Sequence, residues 1–180
     1  MKFQPTQLPG VYTIGLNQLK DERGVFVKTY HAEIFQTATG APLNWRESFY
    51  SVSGKNVIRG MHFQIPPFDN TKIVYVTAGK IKDVVLDIRK SSPTYGHYIS
   101  IDLSADSAGA VLIPAGCAHG FLSLADKTIV VYMQTSVYSQ EHDMGILWNS
   151  FGMDWGIDNP VLSPRDRTFP TLEAFKTTFD

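Results

Sequence analysis

A histidine set in an apolar strand, with ionisable residues recurring in the strands that follow, can move a proton or hold a metal. The segment IRGMHFQ (58–64) carries Arg59, His62 and Gln64 among apolar residues and stops at Pro66-Pro67. On a regular strand alternate side chains share a face, so Arg59 and Met61 are expected on one side and Gly60, His62 and Gln64 on the other. Lys72 opens the run KIVYVTA, Asp83 sits among Ile81, Val84 and Val85, His119 follows IPAGCA, and Tyr132 ends TIVVY. Groups of this kind are costly when buried without partners. Several of both signs, each in a strand that otherwise reads as core, predict a polar pocket inside a barrel rather than a row of solvated edge residues.

The elements that must position these groups are mostly β. HYISIDL (97–103) alternates, with Ile99, Ile101 and Leu103 opposite Ser100 and Asp102. KIVYVTA (72–78) and IKDVVLDI (81–88) flank Gly79-Lys80, which reads as a hairpin turn. GAVLI (109–113) and KTIVVYM (127–133) are further short strands rich in β-branched residues. Breaks containing Gly, Pro or Ser separate the runs: SSPTYG, ADSAG, IPAG and SLAD. Helical patterns are confined to HAEIFQ (31–36) and TLEAFK (171–176). Many short strands at this spacing favour an all-β barrel or a double-sheet jelly roll.

Composition narrows the function classes. The chain has 180 residues, 43% of them apolar, enough for one domain with a sizeable core. A net charge of −1 offers no broad surface for nucleic acid or an anionic membrane. The single cysteine, Cys117, excludes an intrachain disulfide framework and a Cys-pair metal site. The opening MKFQPTQLPGVYTIGL lacks the apolar core of a signal peptide, and no apolar run is long enough to span a bilayer. A soluble, cytoplasmic protein is the expectation.

Six segments in consistent order carry a resemblance. IPAGCAHGF (113–121) looks like the second motif of cupins. Together with RGMHFQ, the Lys72 strand, DVVLDIRKSSPTYG (83–96), VVYMQTSVY and LSPRDR, it resembles the dTDP-4-dehydrorhamnose 3,5-epimerase family, from DERGVF near residue 21 to LSPRDR near 162. The resemblance implies a cupin jelly roll, a homodimer, and cofactor-free action on a nucleotide-linked 4-keto-6-deoxy sugar. It implies that His62 is the base, Asp166 its orienting partner and Tyr132 the acid, with Lys72 suited to the developing oxyanion. Arg23 and Arg59 are implied for the diphosphate, and Phe26 for stacking on or near the nucleobase, across a dimer interface. Asp83 and His119 match pocket positions for substrate contact or pocket structure.

The chemistry explains why such residues are needed. Epimerising a carbon beside a ketone requires a base on one face, an acid on the other, and a cation or donor at the enolate oxygen. Metal-dependent cupins instead use two His and a carboxylate on the first motif; here Gln64 holds the second His position and IPPF follows where the carboxylate belongs. His62 and His119 alone fall short of a facial ligand set, so no metal is expected. Two departures touch the nucleotide side: Lys28 replaces the family's Glu, and Glu47-Ser48-Phe49 replaces its Q-x-N, while Ser51 and Ser53 remain. A different nucleotide or hexose, or epimerisation at one carbon only, is therefore compatible with the intact acid–base set. A cupin that binds sugar nucleotides without turning them over is the alternative of another class.

Overall fold

The computed structural model describes residues 1–180, and its architecture follows from strands that are apolar on both faces. In chain order the strands are β1 (Lys2–Pro5), β2 (Tyr12–Gly15), β3 (Asn17–Asp21), β4 (Gly24–Lys28), β5 (Glu47–Ser53), β6 (Ile58–Gln64) and β7 (Lys72–Ala78). They continue as β8 (Lys80–Asp87), β9 (Tyr98–Ser104), β10 (Gly109–Ile113), β11 (Cys117–Ser123), β12 (Thr128–Gln134) and β13 (Asp143–Gly145). One helix, α1 (Ala32–Thr39), precedes β5. A six-stranded antiparallel sheet runs β1-β2-β10-β7-β12-β5, and a five-stranded one runs β13-β6-β11-β8-β9. The β3-β4 hairpin stands apart as a two-stranded sheet.

Three apolar clusters bind the layers. Val74, Val76, Val111, Ile113 and Val130 of the larger sheet meet Ile81, Val85, Leu103 and Phe121 of the smaller one. On the far side of the smaller sheet, Ile58, Met61, Phe63, Val84 and Leu86 are covered by Ile146, Trp155 and Phe179 of the C-terminal segment. On the far side of the larger sheet, Phe35 of α1 packs on Ile14, Ile73, Ala110 and Leu112. The central strands of each sheet are thus buried on both faces, as long apolar strands require. This is the all-β double-sheet class that the short strands predict.

Three local expectations are corrected. Gly79-Lys80 does not close a hairpin: β7 lies in the larger sheet between β10 and β12, and β8 in the smaller one between β11 and β9. The chain switches sheets there, with Gly79 at φ +76° and no room for a Cβ against Thr128. TLEAFK forms a single turn rather than a helix, with the Phe175 amide donating to Thr171 O at 3.0 Å. Arg59 does not share a face with Met61. Between the pairs His119↔His62 and Phe121↔Arg59 the register slips, because β6 spends one residue more than β11. The slip sits where Gly60, at φ +122°, crosses Gly120: a Cβ on Gly60 would lie 2.6 Å from the Gly120 Cα. Met61 consequently points into the outer cluster, while Arg59 and His62 both face the space between the sheets.

The loop after β8 is fixed by one carboxylate. Asp87, fully buried, accepts hydrogen bonds from Arg89 Nη2 (2.7 Å), Ser92 Oγ (2.6 Å) and Thr94 Oγ1 (2.7 Å). Burial alone raises its pKa, but Arg89 and the two hydroxyls outweigh it and hold the group at about 2, below the ordinary 3.8. A depressed carboxylate stabilises the fold above its unfolded pKa and loses that contribution as pH falls through the folded one. Denaturant titrations between pH 5 and pH 2 are expected to show wild type losing on the order of 2 kcal/mol from this group. The Asp87→Asn variant starts less stable and has a flatter profile over that window.

Candidate active site

Both sheets contribute to one cavity of about 390 Å³, lined by charged and polar residues at positions that alternate with the apolar core. From the smaller sheet come Arg59, His62 and Gln64 of β6 and His119 of β11; from the larger come Lys72, Tyr132 and Gln134 with Glu47, Phe49 and Ser51 of β5. His62 pairs directly with His119 on one side and Gly145 of β13 on the other.

His62 Nε2 lies 2.9 Å from Asp166 Oδ1, and the Gly60 amide donates to Asp166 Oδ2 at 3.2 Å. Asp166 is 4% exposed, and burial alone would raise its pKa; the His62 contact and the Gly60 and Ser163 hydrogen bonds hold it below the ordinary value. It is ionised at neutral pH, so it accepts from Nε2–H and leaves the lone pair on the other ring nitrogen. On residues alone Asp166 reads as a solvated turn residue; the structure buries it instead behind His62.

Lys72 is 8% exposed, and its ammonium makes no hydrogen bond or ion pair within the chain. Burial lowers its pKa to about 8, offset in part by the nearby carboxylates of Asp143 and Asp83. An ammonium held in a cavity without a protein partner is available to a ligand anion. Burial likewise pushes the Tyr132 phenol above its usual range, so it is a proton donor at neutral pH. Its ring stacks on Phe49 at 4.8 Å with 17° between planes, and meets His119 edge-on at 6.0 Å.

Four further side chains serve the walls and rim. Gln64 donates to Phe68 O (2.8 Å) and Val137 O (3.1 Å) and accepts from the Ser139 amide (2.7 Å), tying two loops to β6. His119 Nε2 meets Asp83 Oδ1 at 2.7 Å, both buried, with Asp83 Oδ2 left without a partner. Glu47 accepts from Gln134 Nε2 (3.0 Å) and the Tyr138 amide (2.7 Å). Arg59, at the rim, donates to Ser53 Oγ (3.0 Å) and Val52 O (3.2 Å). No group of three or more His, Cys, Asp or Glu side chains is placed to hold a metal ion.

Arg23, Phe26 and Lys28 do not line this cavity. They sit on the β3-β4 hairpin, where Phe26 is 61% exposed and Arg23 pairs with Asp21 of the same hairpin at 2.6 Å. Sequence reasoning in turn missed Asn70, Gln134, Tyr138 and Asp143 as lining residues. Gln134 was accessible from period two, being two residues beyond Tyr132; the others come from loops and a three-residue strand that carry no periodic signal.

Residues 5–174 match the sequence profile of dTDP-4-dehydrorhamnose 3,5-epimerase. The chain belongs to that family. It is 37% identical over 168 residues to the dTDP-4-dehydrorhamnose 3,5-epimerase of Shigella flexneri, covering 92% of this chain and 93% of that one. It is also 37% identical over 169 residues to the dTDP-4-dehydrorhamnose 3-epimerase of Streptomyces niveus, covering 93% and 82%. The crystal structure of the Bacillus anthracis dTDP-4-dehydrorhamnose 3,5-epimerase, with TDP and PPi bound, superposes with a TM-score of 0.91 at 36% identity, covering 94% and 98%. The double-sheet fold is thus shared with the Bacillus anthracis epimerase over 94% of this chain. No helix is long and apolar enough to cross a membrane.

Proposed function

We propose that the whole chain is one cytoplasmic epimerase domain that inverts C3, C5 or both in a 4-keto-6-deoxyhexose carried on a nucleoside diphosphate. The observation that carries this reading is the pairing of His62 with a buried, ionised Asp166 on the smaller sheet, while the Tyr132 phenol enters the same cavity from the larger one. The unprotonated nitrogen of His62 takes the proton beside the ketone, and the electron pair moves to the carbonyl oxygen. Lys72 stabilises that enolate, and Tyr132 returns a proton to the opposite face. Solvent then takes the proton from His62 and restores the one on Tyr132, so the net change is inversion alone. Asp83 holds His119 toward the sugar hydroxyls. Incubation with a 4-keto-6-deoxy sugar nucleotide in D₂O reads each enolisation as deuterium uptake and counts the carbons attacked. Uptake at C3, C5 or both that survives EDTA treatment supports the assignment; none from dTDP-, CDP-, GDP- or UDP-linked sugars overturns it.

The substrate's nucleotide end extends the proposal to a homodimer. Leu19, Val25 and Phe26 of the hairpin and Tyr50 and Val52 of the edge strand β5 are exposed apolar residues. Docking the hairpin on a second copy carries Arg23 and Phe26 to the partner's cavity, Arg23 for the diphosphate with Arg59 and Phe26 for the base. Lys28 and Glu47 then face the nucleotide and set which base binds. Mixing inactive Arg23→Ala with inactive His62→Ala is expected to restore activity, since a hybrid dimer holds one intact site. Failure to complement in a mixture that forms hybrids, read by sedimentation, removes the shared-site idea.

A further inference from the structure

Arg165 is the neighbour of Asp166 and lines no part of the cavity, yet its contacts join β13 and Phe169, both of which border His62. Its Nη1 lies 2.6 Å from Asp143 Oδ2, and its Nη2 donates to Asp143 O at 3.1 Å. The guanidinium stands 5.1 Å from the Phe169 ring centroid, and Phe169 meets the His62 ring edge-on at 5.6 Å. The Phe169 ring occupies the place a Cβ would take on Gly145, the strand partner of His62. Asp143, in turn, faces the cavity that holds the unpaired Lys72.

Two cations therefore compete for one carboxylate. Arg165 holds it from outside with a planar fork, at a geometry a lysine matches poorly. We propose that Arg165 is a positioning residue with two duties: it clamps the Asp166 loop to β13 behind His62, and it keeps Asp143 from pairing with Lys72, so that the ammonium stays open to the substrate. This rests on the roles given above to His62 and Lys72.

The charges facing Lys72 are few enough to make the second duty measurable. The carboxylates of Asp143 on β13 and Asp83 on β8 act on it directly, while burial keeps the Cys117 thiol on β11 neutral, its pKa pushed up to about 12. Glu47 on β5 shares the cavity but is bonded to Gln134 and Tyr138, and Asp83 is bonded to His119. Arg59, His62 and His119 from the smaller sheet and the Tyr132 and Tyr138 phenols complete the ionisable lining. Of these carboxylates Asp143 is the one held by Arg165, so loss of that guanidinium leaves it free to turn toward Lys72.

The test reads Lys72 in the unliganded protein by NMR titration of its ε-carbon, beside deuterium uptake from the keto sugar. In Arg165→Met the freed Asp143 is expected to move the Lys72 midpoint up from about 8 toward the ordinary 10.5. The same variant loses on the order of 10²-fold in kcat, with KM little changed, because a misplaced base costs rate rather than affinity. Asp143→Asn lowers kcat through the loosened loop but moves the midpoint down, and Arg165→Lys restores part of both readouts. A Lys72 midpoint in folded Arg165→Met equal to that of wild type, or full kcat in Asp143→Asn, overturns the proposal. Should Arg165→Met not fold, Asp143→Asn and Arg165→Lys decide it by the same two readouts. A His62→Ala protein that still takes up deuterium sinks the acid–base reading instead, while the Lys72 titration, which needs no turnover, still tests the clamp.

Discussion

His62→Ala is expected to lower deuterium uptake and net epimerisation together by about 10²–10⁴-fold, with the fold and nucleotide binding intact. The imidazole is 35% exposed and meets the Phe169 ring edge-on at 5.6 Å, so truncation removes chemistry more than packing. Asp166→Asn tests the same pair from behind. It keeps the volume but replaces an acceptor by an amide that can no longer fix the imidazole tautomer, and a rate loss between wild type and His62→Ala is expected. Tyr132→Phe separates the two half-reactions: proton removal persists and its return to the opposite face fails, so exchange outlasts inversion. Stopped uptake followed by NMR resolves these outcomes. Wild-type turnover in His62→Ala would remove the mechanism outright.

The second large effect belongs to Lys72. Its cationic form is the one that stabilises an enolate, and its pKa is lowered to about 8, chiefly by burial. Activity therefore declines as pH rises through about 8, the reverse of what an ordinary lysine would allow. The decline belongs in kcat/KM, which reports groups of the free enzyme. Lys72→Met is expected to cost about 10²–10³-fold, in the range of a lost oxyanion donor, and to abolish the alkaline limb. A limb unchanged in Lys72→Met assigns it to another group.

Most of the fold was legible because the strands repeat with period two, and the cavity residues Lys72, His119 and Tyr132, with Asp83 behind His119, stand out as polar interruptions of that period. What escaped was set by contacts between distant segments. Asp166 lies 104 positions from His62, and nothing local separates it from a solvated turn. The turn at Gly79 has the length of a hairpin, but both flanking strands are buried on both faces, which places them in different layers. Arg59 reaches the cavity through a slip opposite β11, which no reading of β6 alone contains. Phe49 breaks the family pattern in the sequence, but its stacking on Tyr132 comes from the pairing of β5 with β12.

The crossing of Gly60 over Gly120 bears on how such chains are recognised. RGMHFQ and IPAGCAHGF, the two segments most telling for kinship, each contain one of these glycines, and each glycine excludes a side chain on the other. Part of the signature is therefore a steric requirement of two backbones in contact, and it would persist in a descendant that had exchanged its histidine for another residue. Kinship by these letters certifies the shape of the vessel. Competence has to be looked for separately, in the imidazole, the carboxylate behind it and the phenol opposite.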